Sequence, residues 1–327
     1  MAQDLDVSVV LVSFNTRDML RECLYTVYAQ TGVTMEVYAV DNASADGSVE
    51  MMRKEFPQVN IIPSAINLGF GAANNVALRR VKGRYTVLLN TDAFLRPGDL
   101  ALAVRKMDAT PKAGLAGARL TGKDGSWQPS ARMFPSVLND MLLLSGLAAK
   151  FKDSRFFGRA DRTWADQGVE ASVDWVPGAF VIVRREVLET VGHFDERFFL
   201  YYEEVDLCRR IKNAGWEIWY WPELVVVHIG GESSRQVKRL SMSSRGSQLT
   251  LWRMRSALLY YRKHHDGKVW FAMEAERLWH RIRLFRNRFR RDADSVAKCE
   301  ESLAVVLLYK QAWADTDGGR TSPTRPW

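Results

Sequence analysis

The chain has 327 residues, 47% of them hydrophobic, enough to fill a large α/β domain with an appendage. Its net charge of +8 is uneven: 16 Lys/Arg against 3 Asp/Glu lie between Arg235 and Arg291, leaving the rest of the chain acidic and pointing the basic part toward an anionic partner. Cys23, Cys208 and Cys299 stand far apart without a CxxC pair, no apolar run approaches the ~18 residues of a spanning helix, and Asp4 and Asp6 occupy the place of a signal peptide's bases; a disulfide framework, a structural zinc and a membrane span are excluded, and a cytoplasmic protein, soluble or peripheral on the inner face of the membrane, is expected.

In chain order, Val7–Val12 is a nearly continuous apolar run, as in a strand covered on both faces. Met19–Gln30 carries Leu20, Leu24, Val27 and Tyr28 at helical spacing. Strands are predicted at Glu36–Val40, Asn60–Ile62 and Tyr85–Leu89, and helices at Ser48–Phe56, Gly71–Arg80 and Pro97–Met107. This alternation implies a mostly parallel sheet with ligands at the carboxyl ends of its strands. Polar residues stand there: Ser13-Phe14-Asn15, Asp41-Asn42, Asn67 to Asn75, and Asn90 to Asp92. Thr121 to Ser172 mixes Gly, Pro, Trp and charge and reads as an insertion or lid. Order returns with strands at Val173–Pro177 and Ala179–Val183 and a helix at Arg184–Val191. A helix running to about Asn213 follows, then strands at Trp216–Trp221 and Leu224–Val227, leading into His228.

Glu203, Glu204 and Asp206 fall within four residues, after the aromatic run Phe198 to Tyr202 and at a helix start. Such a cluster is costly beside apolar side chains unless a metal, a hydroxyl proton or an arginine uses it. Arg209 or Arg210, at helical spacing, accounts for one or two of the acids, not three. Asp41 either shapes a turn that Ser48 caps or accepts hydrogen bonds from a base or ribose. Asn67 to Asn75 contains Gly69 and Gly71, so backbone could approach a phosphate or sugar there. A dinucleotide fingerprint would instead follow the first strand, where this chain reads Ser13-Phe14-Asn15-Thr16, and no GxxxxGK[ST] loop occurs. Asp92 either caps the turn before Pro97 or holds a hard divalent cation that a diphosphate shares. His228 is structural unless Asp92 pairs with it.

Taken together, the ordered set Val9-Val10-Leu11-Val12-Ser13-Phe14-Asn15, Val40-Asp41-Asn42-Ala43-Ser44, Asp46-Gly47-Ser48, Asn67-Leu68-Gly69-Phe70-Gly71-Ala72-Ala73-Asn74, Leu89-Asn90-Thr91-Asp92, Trp175-Val176-Pro177-Gly178-Ala179, Gly192-His193-Phe194-Asp195-Glu196, Glu203-Glu204-Val205-Asp206-Leu207 and His228 with its Gly/Ser tail resembles inverting glycosyltransferases of family 2, in particular the bacterial rhamnosyltransferase-like branch. The resemblance covers roughly Val7 to Ser234. It implies an α/β fold of GT-A type, a Rossmann-like, mostly parallel mixed sheet flanked by helices, with a basic helical appendage. The implied catalytic domain spans 1–234, divided into a nucleotide-binding half (1–119) and an acceptor half (120–234).

By the same resemblance, Ser13, Asn15 and Asp41 would hold the base and ribose, and Asn67, Gly69 and Asn74 the donor pocket. Asn90 and Thr91 would add donor contacts, and Trp175 and Gly178 would border sugar and acceptor. Asp92 would be the final acid of the family's DxD motif and His228 a second metal or diphosphate contact, with Mg²⁺ or Mn²⁺ as cofactor. Glu204 would be the base, with Glu203 and Asp206 as alternatives. Two residues depart from the pattern: Asn90 replaces the first acid of DxD, and Glu204 is one methylene longer than the usual aspartate. The implied reaction moves rhamnose from dTDP-rhamnose to a hydroxyl of a cell-surface polysaccharide or lipid-linked glycan. Alternatives are another donor such as a UDP-hexose, or a non-catalytic nucleotide-sugar or glycan-binding module. A sugar-phosphate nucleotidyltransferase would want a Gly-rich, Arg-containing loop after the first strand, which is absent.

Toward the C-terminus, Phe271, Ala275, Leu278, Ile282, Phe285 and Phe289 form an apolar helical stripe with Arg277, Arg281, Arg288 and Arg291 off it; Leu251, Met254, Leu258 and Tyr261 repeat the pattern. The basic region 235–312 would pack on the catalytic domain or a second subunit in a homo-oligomer, or grip an anionic membrane surface. Nucleic acid is not expected, because no reader motif accompanies the charge. Residues 313–327 read as a loose tail.

Overall fold

The computed structural model describes residues 5–230, 247–265 and 268–323. The first half alternates as the sequence predicts: β1 (Val7–Ser13), α1 (Arg17–Tyr28), β2 (Met35–Asp41), α2 (Ser48–Glu55), β3 (Asn60–Pro63), α3 (Phe70–Leu78), β4 (Tyr85–Asn90), a short β5 (Ala93–Phe94) and α4 (Asp99–Ala109). There follow β6 (Ala113–Thr121), β7 (Trp127–Gln128), α5 (Val137–Leu144), α6 (Leu147–Lys150), β8 (Ala171–Val173), β9 (Phe180–Arg184), α7 (Arg185–Val191), α8 (Glu203–Asn213) and β10 (Glu217–His228). Three helices close the chain: α9 (Ser247–His264), α10 (Val269–Asn287) and α11 (Ala293–Asp315).

The strands form one mixed sheet in the order β3-β2-β1-β4-β9-β6-β10-β5, with β7 on β6 and β8 on β10. β1 runs parallel to β2 and β4, β2 to β3, and β6 to β10; β9 enters antiparallel between β4 and β6. Side chains alternate across the sheet. Val9 and Leu11 join a core with Leu20 and Leu24 of α1, Met52 of α2 and Leu100 and Met107 of α4, while α3 packs on β1 and β2. Both faces are covered, which is why β1 reads as a continuous apolar run.

Three elements differ from the sequence reading. β6 is a central strand that the sequence conceals, because Ala-Gly-Leu-Ala-Gly-Ala is poor in the β-branched and aromatic residues that mark strands. Close packing requires its small residues: a Cβ on Gly117 would lie 2.6 Å from Cβ of Val176. The two strands predicted at Trp216–Trp221 and Leu224–Val227 are one strand, β10, whose pairing slips register across Pro222. The strand predicted at Val173–Pro177 ends at Val173, with Trp175 retaining a single bridge to Arg132.

The described residues fall into two compact units. One draws on 5–134, 161–196 and 203–230 and contains the sheet; the other draws on 135–160, 197–202, 247–265 and 268–323 and is helical. The stretch expected as one acceptor half is thus divided: residues 135–160 and 197–202 belong with the C-terminal helices. Within the helical unit, Tyr261 donates its hydroxyl proton to Asp140 of α5 at 2.5 Å, and Ser256 donates to the Leu200 carbonyl at 2.8 Å. The predicted tail is ordered at its start: α11 runs to Asp315, Thr316 is buried, and a Cβ on Gly319 would collide with the Leu258 carbonyl. Residues 231–246, which include the Gly/Ser tail after His228, and residues 324–327 lie outside the described residues.

Candidate active site

The carboxyl ends of β1 and β2 are locked together. Asn15 adopts φ +51°, donates its backbone N–H to Ser44 Oγ at 3.0 Å and accepts from the Ala45 N–H at 2.8 Å. Asp41 is buried; its Oδ2 accepts from the Ser44 N–H at 3.0 Å, whereas its Oδ1 is buried with no hydrogen-bond partner. An unpartnered carboxylate oxygen is costly in the interior, so this atom is an acceptor available to a ligand's N–H or O–H. Ser13 and Thr16 hydroxyls lie 3.3 Å apart, and Thr16 meets the Thr91 hydroxyl at 2.9 Å, tying β1 to the turn after β4.

The loop into α3 is built on asparagines. Asn42 donates to Asn67 Oδ1 at 2.9 Å and to the Gly69 carbonyl at 3.2 Å, and accepts from the Leu68 N–H at 2.8 Å. Gly69 has φ +82° and ψ −180°, a conformation essentially restricted to glycine. Two residues on, a Cβ at Gly71 would stand 3.2 Å from Phe194 Cβ and 3.5 Å from Glu203 Cβ, so α3 begins directly against the carboxylate helix. Phe70 lies beside Gly178, where a Cβ would meet its ring at 3.6 Å. Asn74 spends its amide on the Phe70 carbonyl inside the helix.

Asp92 and His228 converge, with Oδ1 and Nε2 at 3.5 Å. Gln128 sets the imidazole: its amide N–H donates to the His228 carbonyl at 2.8 Å, which turns its Oε1 toward His228 Nδ1 at 2.9 Å. Nδ1 then donates to that oxygen, which turns the Nε2 edge of the ring toward the Asp92 carboxylate. An imidazole nitrogen and a carboxylate oxygen this close are the kind of donor pair that can hold a cation. Among the described residues no third His, Cys, Asp or Glu joins the pair. One carboxylate and one imidazole suit a divalent ion that takes its remaining ligands from water and substrate phosphates. Asn90, half-buried at the end of β4, stands two residues away.

Glu203 and Glu204 open α8, where the helix dipole favours negative charge. Each has a buried Oε2 without a hydrogen-bond partner. Burial pushes the Glu203 carboxyl well above its usual range, and the Glu204 charge adds to the shift. Burial raises Glu204 too, opposed by a backbone hydrogen bond and by the Arg132 charge. Tyr201 and Tyr202, just before the pair, both adopt left-handed backbone, at φ +69° and +68°. Asp206 is fully buried and binds Arg210 Nε at 2.9 Å; the same guanidinium donates to the carbonyls of Val191 and His193, fastening α8 to the turn after α7.

Sequence reasoning missed Gln128 and Arg132, which sit in the irregular stretch after β6. Arg132 lies over the Trp175 ring at 4.6 Å, and Trp175 donates to the Met133 carbonyl at 2.9 Å. Gln128 supports the Asp92–His228 pair and Arg132 acts on Glu204. They are four positions apart, so their Cα atoms are at most about 14 Å apart. Neither carries a local signature, since their partners are distant in sequence: His228 for Gln128, and Asp161, Trp175 and Glu204 for Arg132.

The sequence profile described as glycosyl transferase family 2 matches residues 8–192. The chain belongs to that family. It is a glycosyltransferase with a GT-A-like mixed sheet. An N-acetylglucosaminyl-diphospho-decaprenol L-rhamnosyltransferase of Mycobacterium tuberculosis is 29% identical over 231 residues, 67% of this chain and 75% of the relative. The rhamnosyltransferase WbbL of Escherichia coli K12 is 28% identical over 176 residues, 51% of this chain and 63% of the relative. Among solved structures, a mannosyltransferase from Pyrobaculum calidifontis, in complex with GDP-Man and Mn²⁺, superposes with a TM-score of 0.54 at 19% identity, covering 97% of this chain and 85% of that one. At that identity the likeness concerns the fold.

Proposed function

We propose that this family 2 enzyme transfers rhamnose from dTDP-rhamnose, with inversion, to a hydroxyl of a lipid-linked or cell-surface glycan. The curated relatives named as rhamnosyltransferases support the sugar, and the decaprenol in one of their names supports a lipid-linked acceptor. The unpartnered Asp41 Oδ1 supports a base that offers an N–H, as thymine and uracil do at N3, so a UDP-hexose is the alternative donor. Ser13, Asn15, Asn67, Gly69, Asn90 and Thr91 would frame the nucleotide and diphosphate, and Trp175 and Gly178 the sugar and acceptor. Asn74 and Asp206 would act by holding their helices in place.

The observation that carries the reading is Glu204: a carboxylate with a raised proton affinity and a buried, unpartnered oxygen, within the field of Arg132, which itself lies over Trp175. The acceptor oxygen attacks the anomeric carbon opposite the leaving group, the bond from that carbon to the diphosphate oxygen breaks, and the hydroxyl proton passes to Glu204 Oε2. Burial raises the proton affinity of Glu203, which would disfavour a second negative charge beside this base. A divalent cation, Mg²⁺ or Mn²⁺, held by Asp92 and His228, would neutralise charge on the departing diphosphate.

Glu204→Gln tests the assignment. Turnover should fall about 10²- to 10⁴-fold while donor affinity, measured by titration calorimetry with the nucleoside diphosphate, stays unchanged. The wild-type acid limb should lie above the ordinary glutamate range, because a base with a raised pKa loses activity earlier as pH falls. Unchanged turnover in the variant moves the base elsewhere.

A further inference from the structure

Among the described residues, α10 and α11 leave large apolar side chains in solvent. Phe285 and Phe289, at the end of α10, are 60% and 78% exposed, and Leu278 and Ile282 continue the stripe; Leu303 and Leu307 of α11 are exposed as well. Of the two readings of the stripe, packing or membrane contact, its second half from Leu278 onward is not packed. Near the turn between the two helices, a groove of about 520 Å³ is lined by apolar side chains such as Leu284 and Phe285, by Arg281, Arg288 and Arg290, and by one acid, Glu300. From Arg281 to Arg291 the chain carries six arginines and no acid. Arg283 pairs with Glu301 at 2.9 Å. Arg286, Arg288, Arg290 and Arg291 make no ion pair among the described residues, and Arg288 instead lies over the Phe285 and Phe289 rings at 4.1 and 4.4 Å.

We propose that the α10–α11 hairpin end docks on an anionic lipid bilayer, its phenyl rings at the acyl boundary and its arginines among the headgroups. The pairing of exposed rings with unneutralised guanidinium groups decides the occupant. A lipid surface takes both: apolar contact from the rings, charge from the arginines, whose long stems let the heads reach phosphate. A second copy joined symmetrically through this face would set arginines against arginines. A nucleic acid would use the charge but leave Leu278, Ile282, Leu303 and Leu307 in water. The inference deepens the lipid-linked acceptor and rests on that reading for its purpose; its physical case rests on the hairpin.

The test is co-sedimentation of the full chain with vesicles of phosphatidylcholine alone and of phosphatidylcholine mixed with phosphatidylglycerol. The expected result is binding to the anionic vesicles only, weakening with added salt. Arg286→Gln/Arg290→Gln should lower the partition coefficient about tenfold or more, and Phe285→Ser/Phe289→Ser should lower it comparably. All four residues are exposed, so both variants should melt like wild type and keep donor turnover on a detergent-dispersed acceptor. Absent binding, equal binding to neutral vesicles, or variants that bind as wild type does would overturn the proposal. So would hairpin-dependent dimerisation or oligonucleotide binding without lipid binding. Wild-type protein that binds vesicles but turns over no donor would sink the transferase reading and leave the docking intact.

Discussion

Glu203 is a residue whose chemistry is poorly satisfied by its surroundings. Its Cβ lies against the start of α3, and its carboxyl is buried with an unpartnered oxygen and neighbours a second carboxyl. Because the fold raises its pKa above the unfolded value near 4.5, the folded state binds the proton more tightly. The stabilisation is complete below the unfolded pKa and is lost as pH rises through the folded one. Glutamine imitates the protonated form. Glu203→Gln should therefore flatten the fall of Tm as pH rises across this window and raise Tm at pH 8 by at least about 2 °C. Parallel melting curves for wild type and variant across pH would show that Glu203 carries no such penalty. That the wild-type sequence keeps a glutamate at a destabilising position agrees with a role in the site rather than in the core.

At the scale of elements, packing decides what periodicity cannot. Gly117 of β6 touches Val176, and even a single added methyl must displace it. Gly117→Ala should cost about 1–3 kcal/mol, read as a lower urea midpoint at unchanged m-value, whereas Gly168→Ala, on an exposed loop, should stay within about 0.5 kcal/mol of wild type. Equal midpoints would mean that the β6 contact yields easily. The same contact explains what the sequence shows and hides. β1, β2 and β4 announce themselves through valine and leucine runs, and their carboxyl ends through Asn, Asp and Ser, because local chain chemistry dictates both. β6 hides because its smallness answers to Val176 and Trp216, which are distant in sequence. Gln128 hides for the same reason, since only His228 gives it a task. The acidic cluster was legible as a cluster, but its division was not. Arg210 claims Asp206 through an i,i+4 pair, and only the buried oxygens distinguish Glu203 and Glu204.

Across the whole molecule, the cysteines report on the two units separately. Cys23 and Cys208 belong to the sheet unit and Cys299 to the helical one. Burial pushes the Cys208 thiol up to about 12 and raises Cys23 as well, so neither offers thiolate at neutral pH. Cys299 is half-buried and lines the open groove near the α10–α11 turn. An Ellman-type reagent should therefore label one thiol in the native protein and three in denaturant. In graded urea, the second and third thiols should appear together, since both lie in the core of the same unit, and their midpoint should match loss of the sheet's circular dichroism. Modification of Cys299 should proceed at one rate below that transition unless the helical unit opens first, in which case its rate rises at lower urea. Native-state labelling of Cys23 or Cys208 as fast as Cys299 would contradict their burial. If all three thiols instead share one transition, the two units unfold as one cooperative body, with Cys299 accelerating only when Cys23 and Cys208 become reactive.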